Sequence, residues 1–445
     1  MRYALTRRAY SAVQIDLYVQ TLVICKDVPE EQKVRTLQSV SLVSKRCSLV
    51  AQYELFHRIF VVFGYSANEI VLRGLEEAWE RLEPLNRAVR RLTIKARSTV
   101  AEAGCGYYST VRPELCEFEV HAILFLFPGV ATLDIIAFKW VIRPPPPTRP
   151  VASLERLTIL RLSYLDFRNI GETDPVNHIV QLLPRIRTLE FTGCISHQVV
   201  PPFLRACSGV TTLIVDCTKR TIFTPFTLLP RLIGVRHIEV RHMDDYDVAM
   251  LGLQILSNAS TLKSICIRLD RWMTHQDLQV MANYDIGLDV CHILESFEFH
   301  FPCPRCPDVV YANAASSKAV LFLSKLPPTV QEVILVFDGF RRTQSLMHAV
   351  LCLMRWDDIL RSINDHSLRK VTLVLGGRPL GADTYSWSAR LNDKLDQNLS
   401  HGVAIAIVAD NGSGVREYSE VARKGSKQPA ARSTNLSIMS PERCG

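Results

Sequence analysis

Apolar and polar residues follow one short pattern, φ-x-x-φ-x-φ (φ apolar, x any residue), that returns along most of the chain. Its second half alternates apolar and polar positions, as a half-buried strand does, and the copies are separated by stretches with helical spacing. One such unit cannot bury its own apolar face, whereas a stack of units can. The recurrence therefore predicts an α/β solenoid. The copies begin at Val89, Val130, Leu154, Ile186, Val210, Val235, Leu262, Leu294, Val330 and Leu368.

The spacing of the copies supports a repeat array with irregular units. From residue 154 onward, successive copies start 32, 24, 25, 27, 32, 36 and 38 residues apart. Steps of about 20–29 residues suit short strand-and-helix repeats, and the longer steps require inserted loops or helices on one side. An ordinary α/β domain with parallel strands is the alternative, because it shows the same alternation. Helices are predicted over residues 176–183, 249–256, 318–326 and 345–363.

The copy at Ile186 has the fullest form, Ile186-x-x-Leu189-x-Phe191-x-x-Cys194. This form resembles the leucine-rich-repeat consensus L-x-x-L-x-L-x-x-N/C, and the resemblance covers most of residues 89 to 375. It implies a horseshoe in which Cys194 hydrogen-bonds along the turn and stacks onto the neighbouring repeat. The other copies carry different residues at this position. The expected fold is therefore an irregular leucine-rich-repeat-like horseshoe.

Residues 36–60 predict two short helices followed by a strand, with Ser44 able to cap the second helix. The segments 41–46 (SLVSKR) and 53–59 (YELFHRI) are similar to the C-terminal half of an F-box, a three-helix module that docks onto the Skp-type adaptor of a cullin–RING ubiquitin ligase. The alternative is a helical cap over the open end of the solenoid. The resemblance implies that the adaptor is contacted by Ile15, Leu17, Leu37, Val40, Leu42, Val43, Leu49, Leu55 and Phe56.

Three segments are expected: an F-box-like helical module over 1–62, the repeat solenoid over 63–410, and a disordered basic tail over 411–445. The tail has six basic and three acidic residues and few large apolar ones. The resemblance implies a substrate receptor of a Skp–cullin–F-box ligase, in which the array holds an unknown protein substrate for ubiquitination. The alternative is a stand-alone leucine-rich-repeat scaffold whose N-terminal helices act only as a cap.

Composition fits a protein-binding molecule inside the cell, in the cytoplasm or nucleus. The chain has 445 residues, 48% of them hydrophobic, a mean hydropathy of +0.10 and a net charge of +8. Its basic residues are scattered, whereas a nucleic-acid surface needs a sustained basic stripe, so no nucleic-acid partner is expected. The apolar stretch 120–142 is broken by Pro128, Asp134 and Lys139. It predicts a helix, a turn and a strand, and no membrane span.

Motifs for chemistry are sparse. The chain lacks G-x-S-x-G, G-x-x-x-x-G-K-[ST] and H-E-x-x-H, so no enzyme activity is expected. Most of the thirteen cysteines lie in apolar or turn contexts and are expected to be reduced core thiols. Cys303-Pro-Arg-Cys306, with Cys291-His292 upstream, has ligand types that zinc accepts, but a plain loop is favoured. No metal or other cofactor is expected.

Overall fold

A computed structural model describes fourteen segments of the chain and a few isolated residues. The segments are 57–63, 88–96, 112–143, 155–167, 185–194, 206–217, 231–243, 245–269, 286–301, 309–337, 353–363, 367–376, 404–410 and 416–421. Within them the chain forms one large open sheet, two small two-stranded sheets, and helices that pack against the large sheet.

The elements of the described segments are numbered in chain order. The strands are β1 (Arg58–Phe63), β2 (Arg91–Ala96), β3 (Glu114–Leu115), β4 (Thr132–Ile136), β5 (Lys139–Trp140), β6 (Ile159–Ser163), β7 (Thr188–Thr192), β8 (Ala206–Ser208), β9 (Thr212–Asp216), β10 (Arg231–Ile233), β11 (His237–Met243), β12 (Ser264–Leu269), β13 (Ser296–Phe301), β14 (Glu332–Phe337), β15 (Lys370–Gly376), β16 (Ala404–Asp410) and β17 (Arg416–Val421). The helices are α1 (Glu117–Leu126), α2 (Asp245–Ser257), α3 (Val309–Leu323) and α4 (Trp356–Arg361).

The large sheet has the strand order β1-β2-β4-β6-β7-β9-β11-β12-β13-β14-β15-β16-β17. Every neighbouring pair is parallel up to β16, and β17 pairs antiparallel with β16. Strand order follows chain order, as it does when each repeat adds one strand beside the previous one. The α/β class is confirmed, and the sheet is consistent with a solenoid-like fold. The leucine-rich-repeat horseshoe stays a prediction, and the F-box-like module falls outside the described segments.

The register explains why the sequence pattern recurs. The second and third apolar positions of each copy align across the sheet; for example, Ile265 pairs with Phe297 and Ile267 with Phe299. These side chains are fully buried on one face of the sheet, together with apolar residues of α1, α2, α3 and α4. A one-residue slip would turn every apolar side chain to the opposite face, so burial fixes the register.

The copy placed at Leu154 is wrong by three residues. In the sheet Leu160 pairs with Leu133 and with Leu189, so the copy begins at Leu157 and reads Leu157-x-x-Leu160-x-Leu162. The pattern fits both Leu154-x-x-Leu157-x-Ile159 and Leu157-x-x-Leu160-x-Leu162, so the sequence pattern alone does not distinguish the two registers. With the correction, the step from 157 to 186 is 29 residues.

Neighbouring repeats are also joined in the turn before each strand. There, two consecutive amides donate to the carbonyl of the equivalent residue in the preceding repeat. The amides of Lys263 and Ser264, for example, both donate to the Arg236 oxygen, at 2.8 and 3.0 Å. The same arrangement precedes every strand of the large sheet from β2 to β15. These bonds satisfy backbone groups that the tight turn would otherwise leave buried without partners.

The helix predictions are confirmed in part. Helix α2 contains the predicted span 249–256, and α3 begins nine residues before the predicted 318. The stretch 120–142 holds the end of α1, a turn at Pro128 and Gly129, and β4, as expected. None of the described helices is long and apolar enough to cross a membrane.

The sheet extends past both predicted domain boundaries. Strand β1 pairs with β2 along its whole length and crosses the boundary between residues 62 and 63. Strand β17 lies inside the segment 411–445, for which a disordered tail is predicted. The sheet therefore begins before residue 63 and continues past residue 410.

Candidate functional site

The two faces of the large sheet differ in chemistry. Because side chains alternate along a strand, one face carries the apolar core and the other carries the intervening positions. We call these intervening side chains on β2, β4, β6, β7, β9, β11, β12 and β13 the polar face. Its middle row is Thr93, Asp134, Arg161, Glu190, Ile214, Glu239, Cys266 and Glu298, and the next row is Lys95, Ile136, Ser163, Thr192, Asp216, Arg241, Arg268 and His300.

Asp134 is the buried acceptor at the β2 end of the polar face. It is 3% exposed, although a carboxylate is costly to bury unless it is paired. Arg91 donates to its Oδ2 at 2.7 Å, Thr93 donates to the same oxygen at 3.0 Å, and Arg161 lies 3.5 Å from its Oδ1. Asp134 is thus held between two guanidinium groups from the neighbouring strands.

The alternation of charge continues across the sheet. Arg161 donates to Glu190 at 2.8 Å, and Arg241 lies 3.4 Å from the other oxygen of Glu190. Arg241 in turn donates to Glu239 at 2.8 Å, and Arg268 contacts the same Glu239 oxygen at 3.0 Å. Together with Arg91 and Asp134, these side chains form a continuous row of ion pairs from β2 to β12, which we call the charge ladder.

Glu239 is the ladder carboxylate on β11, and it is buried. Burial works to raise its pKa, but the hydrogen bond from Arg241 and the charges of Arg268, Arg241 and His237 outweigh it. The pKa of Glu239 therefore lies below its ordinary value of 4.5, and the group is charged at neutral pH.

A second cluster follows the ladder, on β12 and β13. Cys266 pairs in register with Glu298, and His300 lies two residues further along β13. His300 Nε2 is 2.6 Å from Glu298 Oε1, and one donor atom from each of the three residues lies within 4.8 Å of the others. Cys266 and His300 are 4% and 6% exposed. We call Cys266, Glu298 and His300 the triad.

The triad does not suit nucleophilic catalysis. A reactive cysteine needs a lowered pKa and access to a substrate. Burial raises the pKa of the Cys266 thiol, more than the nearby His300 and Arg268 lower it. The thiol is therefore neutral in the protein alone, and its burial keeps substrates away.

The chemistry of this side of the sheet changes along β14 and β15. At the start of the two strands it stays polar, because Lys370 and Thr372 contact Glu332 at 3.2 and 3.3 Å. Further along, Ile334, Val336 and Val374 form a small apolar cluster, in which the two valines are buried.

The predicted adaptor contacts cannot be placed. Ile15, Leu17, Leu37, Val40, Leu42, Val43, Leu49, Leu55 and Phe56 all lie outside the described segments, as do Cys303 and Cys306.

Two of the cysteines singled out in the sequence, Cys194 and Cys291, lie within the described segments. Cys291 is buried and its thiol donates to the Gly287 carbonyl at 3.7 Å; burial raises its pKa to about 11. Cys194 lies 3.6 Å from the Leu162 carbonyl of the preceding repeat, which is the contact that the leucine-rich-repeat resemblance implies.

Sequence reasoning missed the polar face, although the signal was present. When the copies are aligned on the correct register, the position between the second and third apolar residues reads Asp134, Arg161, Glu190, Glu239, Cys266 and Glu298 in successive strands, with Ile214 between Glu190 and Glu239. The copy placed at Leu154 put Thr158 where Arg161 belongs, and this hid the alternation of charge.

No family model matches the chain, and no curated protein is significantly similar to it. The class of protein is therefore defined by the fold: an α/β protein with a long, open, largely parallel sheet that presents a charged face.

Proposed function

We propose that this chain is a protein-binding repeat array that holds a partner on its polar face, and that it acts as an F-box-like substrate receptor of a Skp–cullin ubiquitin ligase. The observation that carries the binding role is the charge ladder, with alternating charges on side chains fixed by their neighbours. Ordering flexible side chains is a main cost of association, and a ladder already ordered in the free protein reduces that cost.

The chemistry of the polar face favours a protein partner. Acidic and basic groups alternate along the ladder, and such patterns discriminate between partners by charge complementarity. Partly buried apolar residues such as Ile136, Ile159 and Ile214 lie among them. A nucleic-acid surface would instead need basic side chains in excess along the whole face.

The ligase role rests on the resemblance of segments 41–46 and 53–59 to an F-box. The second segment ends at Ile59, inside β1, so the F-box-like sequence runs into the sheet without an intervening linker. In the receptor that we propose, the adaptor is bound at the N-terminal end and the substrate on the polar face. The protein itself supplies no catalytic group to ubiquitin transfer.

Binding of the purified full chain to a purified Skp-type adaptor from the same cell tests the ligase role. We expect the wild type to bind and Ile15→Glu with Leu17→Glu to bind at least tenfold more weakly, because both substitutions put charge into the predicted apolar contact. Arg241→Glu alters only the polar face and should leave adaptor binding unchanged. Equal adaptor binding by the wild type and the Ile15/Leu17 variant would refute the predicted docking surface.

The stand-alone scaffold is the second candidate, and the extension of the sheet through β1 favours it, because a repeat array needs a covered end. It predicts no adaptor binding but an intact polar face. Partners recovered with the wild type should then be lost with Arg241→Glu and kept with Leu253→Ser, since Leu253 lies on α2 on the opposite side of the sheet.

A further inference from the structure

We propose that Cys266, Glu298 and His300 form a binding site for a divalent transition metal, with zinc as the preferred ion. A thiol, a carboxylate and an imidazole converge from two adjacent strands, and one donor atom of each lies within 4.8 Å of the other two. This set of sulfur, nitrogen and oxygen donors is one that zinc accepts in proteins. The partner-binding role proposed above is not needed for this inference.

The three donor atoms all lie within 4.8 Å of one another, near enough to converge on one tetrahedral ion after small movements of the side chains. Zinc–sulfur bonds of about 2.3 Å and zinc–nitrogen or zinc–oxygen bonds of about 2.0 Å place neighbouring donors roughly 3.3–3.6 Å apart. His300 Nε2 and Glu298 Oε1 are now 2.6 Å apart, at hydrogen-bond distance. The ion would replace the shared proton and separate these two atoms by about 0.7 Å, a movement within the reach of side-chain rotation.

The backbone holds the three donors in place. Glu298 and His300 are i and i+2 on β13 and therefore point to the same face, and Cys266 is the registered neighbour of Glu298 on β12. Strands position ligands more precisely than loops do. The burial of Cys266 and His300 keeps competing water away from two of the three donors.

Charged groups of both signs surround the triad, and Arg268, the registered neighbour of His300, brings a positive charge close to Cys266 that a bound cation must tolerate. Glu239 is the registered neighbour of Cys266 on the other side, and it is engaged by Arg241 and Arg268. The Arg268 charge acts to lower the pKa of the Cys266 thiol, although burial outweighs it. Metal binding would displace the thiol proton, as it does at other cysteine sites.

Three protein donors leave one position of a tetrahedral ion open. In structural zinc sites the fourth position is filled by a protein ligand, whereas an open site takes water or a donor from another molecule. We accordingly assign the triad as an open site with water as its fourth ligand in the protein alone.

Cobalt and zinc titration of the reduced, chelator-stripped full chain tests the site. We expect one cobalt ion per chain, a thiolate-to-cobalt charge-transfer absorption band, displacement of cobalt by zinc, and a rise in melting temperature with zinc. Cys266→Ser and His300→Gln should weaken binding by more than about 100-fold, beyond the 10–100-fold that loss of a second-shell partner causes. Glu298→Gln should weaken it at least tenfold.

Matched controls separate this site from the other cysteines. Cys194→Ser removes an equally buried thiol that lies two residues after β7, several strands away from the triad, and should leave cobalt binding unchanged. The double variant Cys303→Ser and Cys306→Ser removes the other zinc candidate and should also bind normally. Circular dichroism of each variant reports whether it is folded.

Cobalt binding that survives Cys266→Ser in a folded protein, or that disappears in the Cys303/Cys306 variant alone, would overturn the proposal. So would the absence of cobalt and zinc binding by the folded wild type, which would make the triad a hydrogen-bonded ion pair beside a core thiol. None of these three results depends on adaptor or partner binding, so failure here is distinct from failure of the proposed function.

Discussion

Gly193 occupies a position that recurs at the end of successive strands. It follows β7 with φ +56°, and Ala137, Tyr164 and His242 hold the equivalent place after or near the end of their strands with φ of 69°, 56° and 57°. A left-handed backbone costs a residue with a Cβ about 1 kcal/mol, so the turn itself demands this conformation. Four of the described repeats thus leave their strands through a left-handed residue, whatever its type.

We predict that Gly193→Ala destabilises the protein by about 1–3 kcal/mol, as overpacking of a tight site does. A Cβ on Gly193 would lie 2.6 Å from the ring of Tyr164 in the preceding repeat, in addition to the left-handed strain. Gly234 has φ +90° and nothing within 4 Å of its Cβ position, so Gly234→Ala measures backbone strain without a steric clash. Urea denaturation should therefore show a larger loss for Gly193→Ala than for Gly234→Ala. Equal losses would mean that Tyr164 moves aside freely.

Between elements, the charge ladder adds side-chain contacts to the backbone pairing of the sheet, and the contact between Arg241 and Glu190 spans from β11 to β7 across β9. Each carboxylate of the ladder contacts two arginines, so removal of one acceptor leaves enclosed guanidinium groups without that partner. Such loss is costly in buried settings, whereas exposed surface ion pairs contribute little. The contribution of the ladder should therefore depend on burial.

We predict that Glu239→Gln destabilises the protein by about 1–3 kcal/mol at neutral pH, the cost of unsatisfied buried groups. The pKa of Glu239 is lowered by the fold, so its stabilisation is complete above its ordinary value of 4.5 and is lost as pH falls below that value. The difference in unfolding free energy between the wild type and Glu239→Gln should therefore shrink as pH falls below about 4.5.

Glu114→Gln is the matched control. Glu114 also has a lowered pKa, chiefly through a hydrogen bond from Lys139, but its side chain is 43% exposed. Its substitution should cost less than about 1 kcal/mol, as for surface ion pairs. A Glu239→Gln loss no larger than that of Glu114→Gln, or a gap that does not depend on pH, would contradict a structural role for the ladder.

The strands were predictable because each repeat needs the same apolar side chains facing one core. Ile265, Ile267, Phe297 and Phe299 follow the pattern and lie where it predicts. The copy at Leu154 was wrong because three leucines at intervals of three fit two registers, and only pairing with Leu133 and Leu189 distinguishes them. Burial determines which side chains face the core. Where two registers of the same apolar pattern overlap, pairing with a neighbouring strand decides which register is formed.

The polar face was not predicted because its residues have no common type. Charges in single strands read as solvated positions, and their pairing becomes visible only when strands are aligned side by side. Cys266 lies 32 residues from Glu298, and no spacing motif joins them. The triad therefore emerges from the register between β12 and β13, which depends on the tertiary fold.

At the scale of the whole molecule, the sheet is close to one-dimensional. Each strand pairs only with the strands beside it, and strand order follows chain order. The stability of such arrays is approximately a sum of repeat terms and nearest-neighbour terms. A substitution that destabilises one repeat should consequently destabilise the neighbouring repeats most.

The aromatic core around β13 offers a test, because Phe299 contacts Phe301 and Phe322 at ring-centroid distances of 4.9 and 5.5 Å.

We predict that Phe299→Ala destabilises the protein by about 3–5 kcal/mol, as for other large-to-small core substitutions. Hydrogen exchange, followed peptide by peptide, should show the loss of protection concentrated in β12, β13 and β14, while β2 and β4 stay protected. Phe125→Ala, on an α1 side chain that is 56% exposed, should change neither stability nor exchange by a comparable amount. Equal loss of protection from β2 to β15 in Phe299→Ala would show that the sheet unfolds as one cooperative unit, and nearest-neighbour coupling would then be too strong for repeats to open separately.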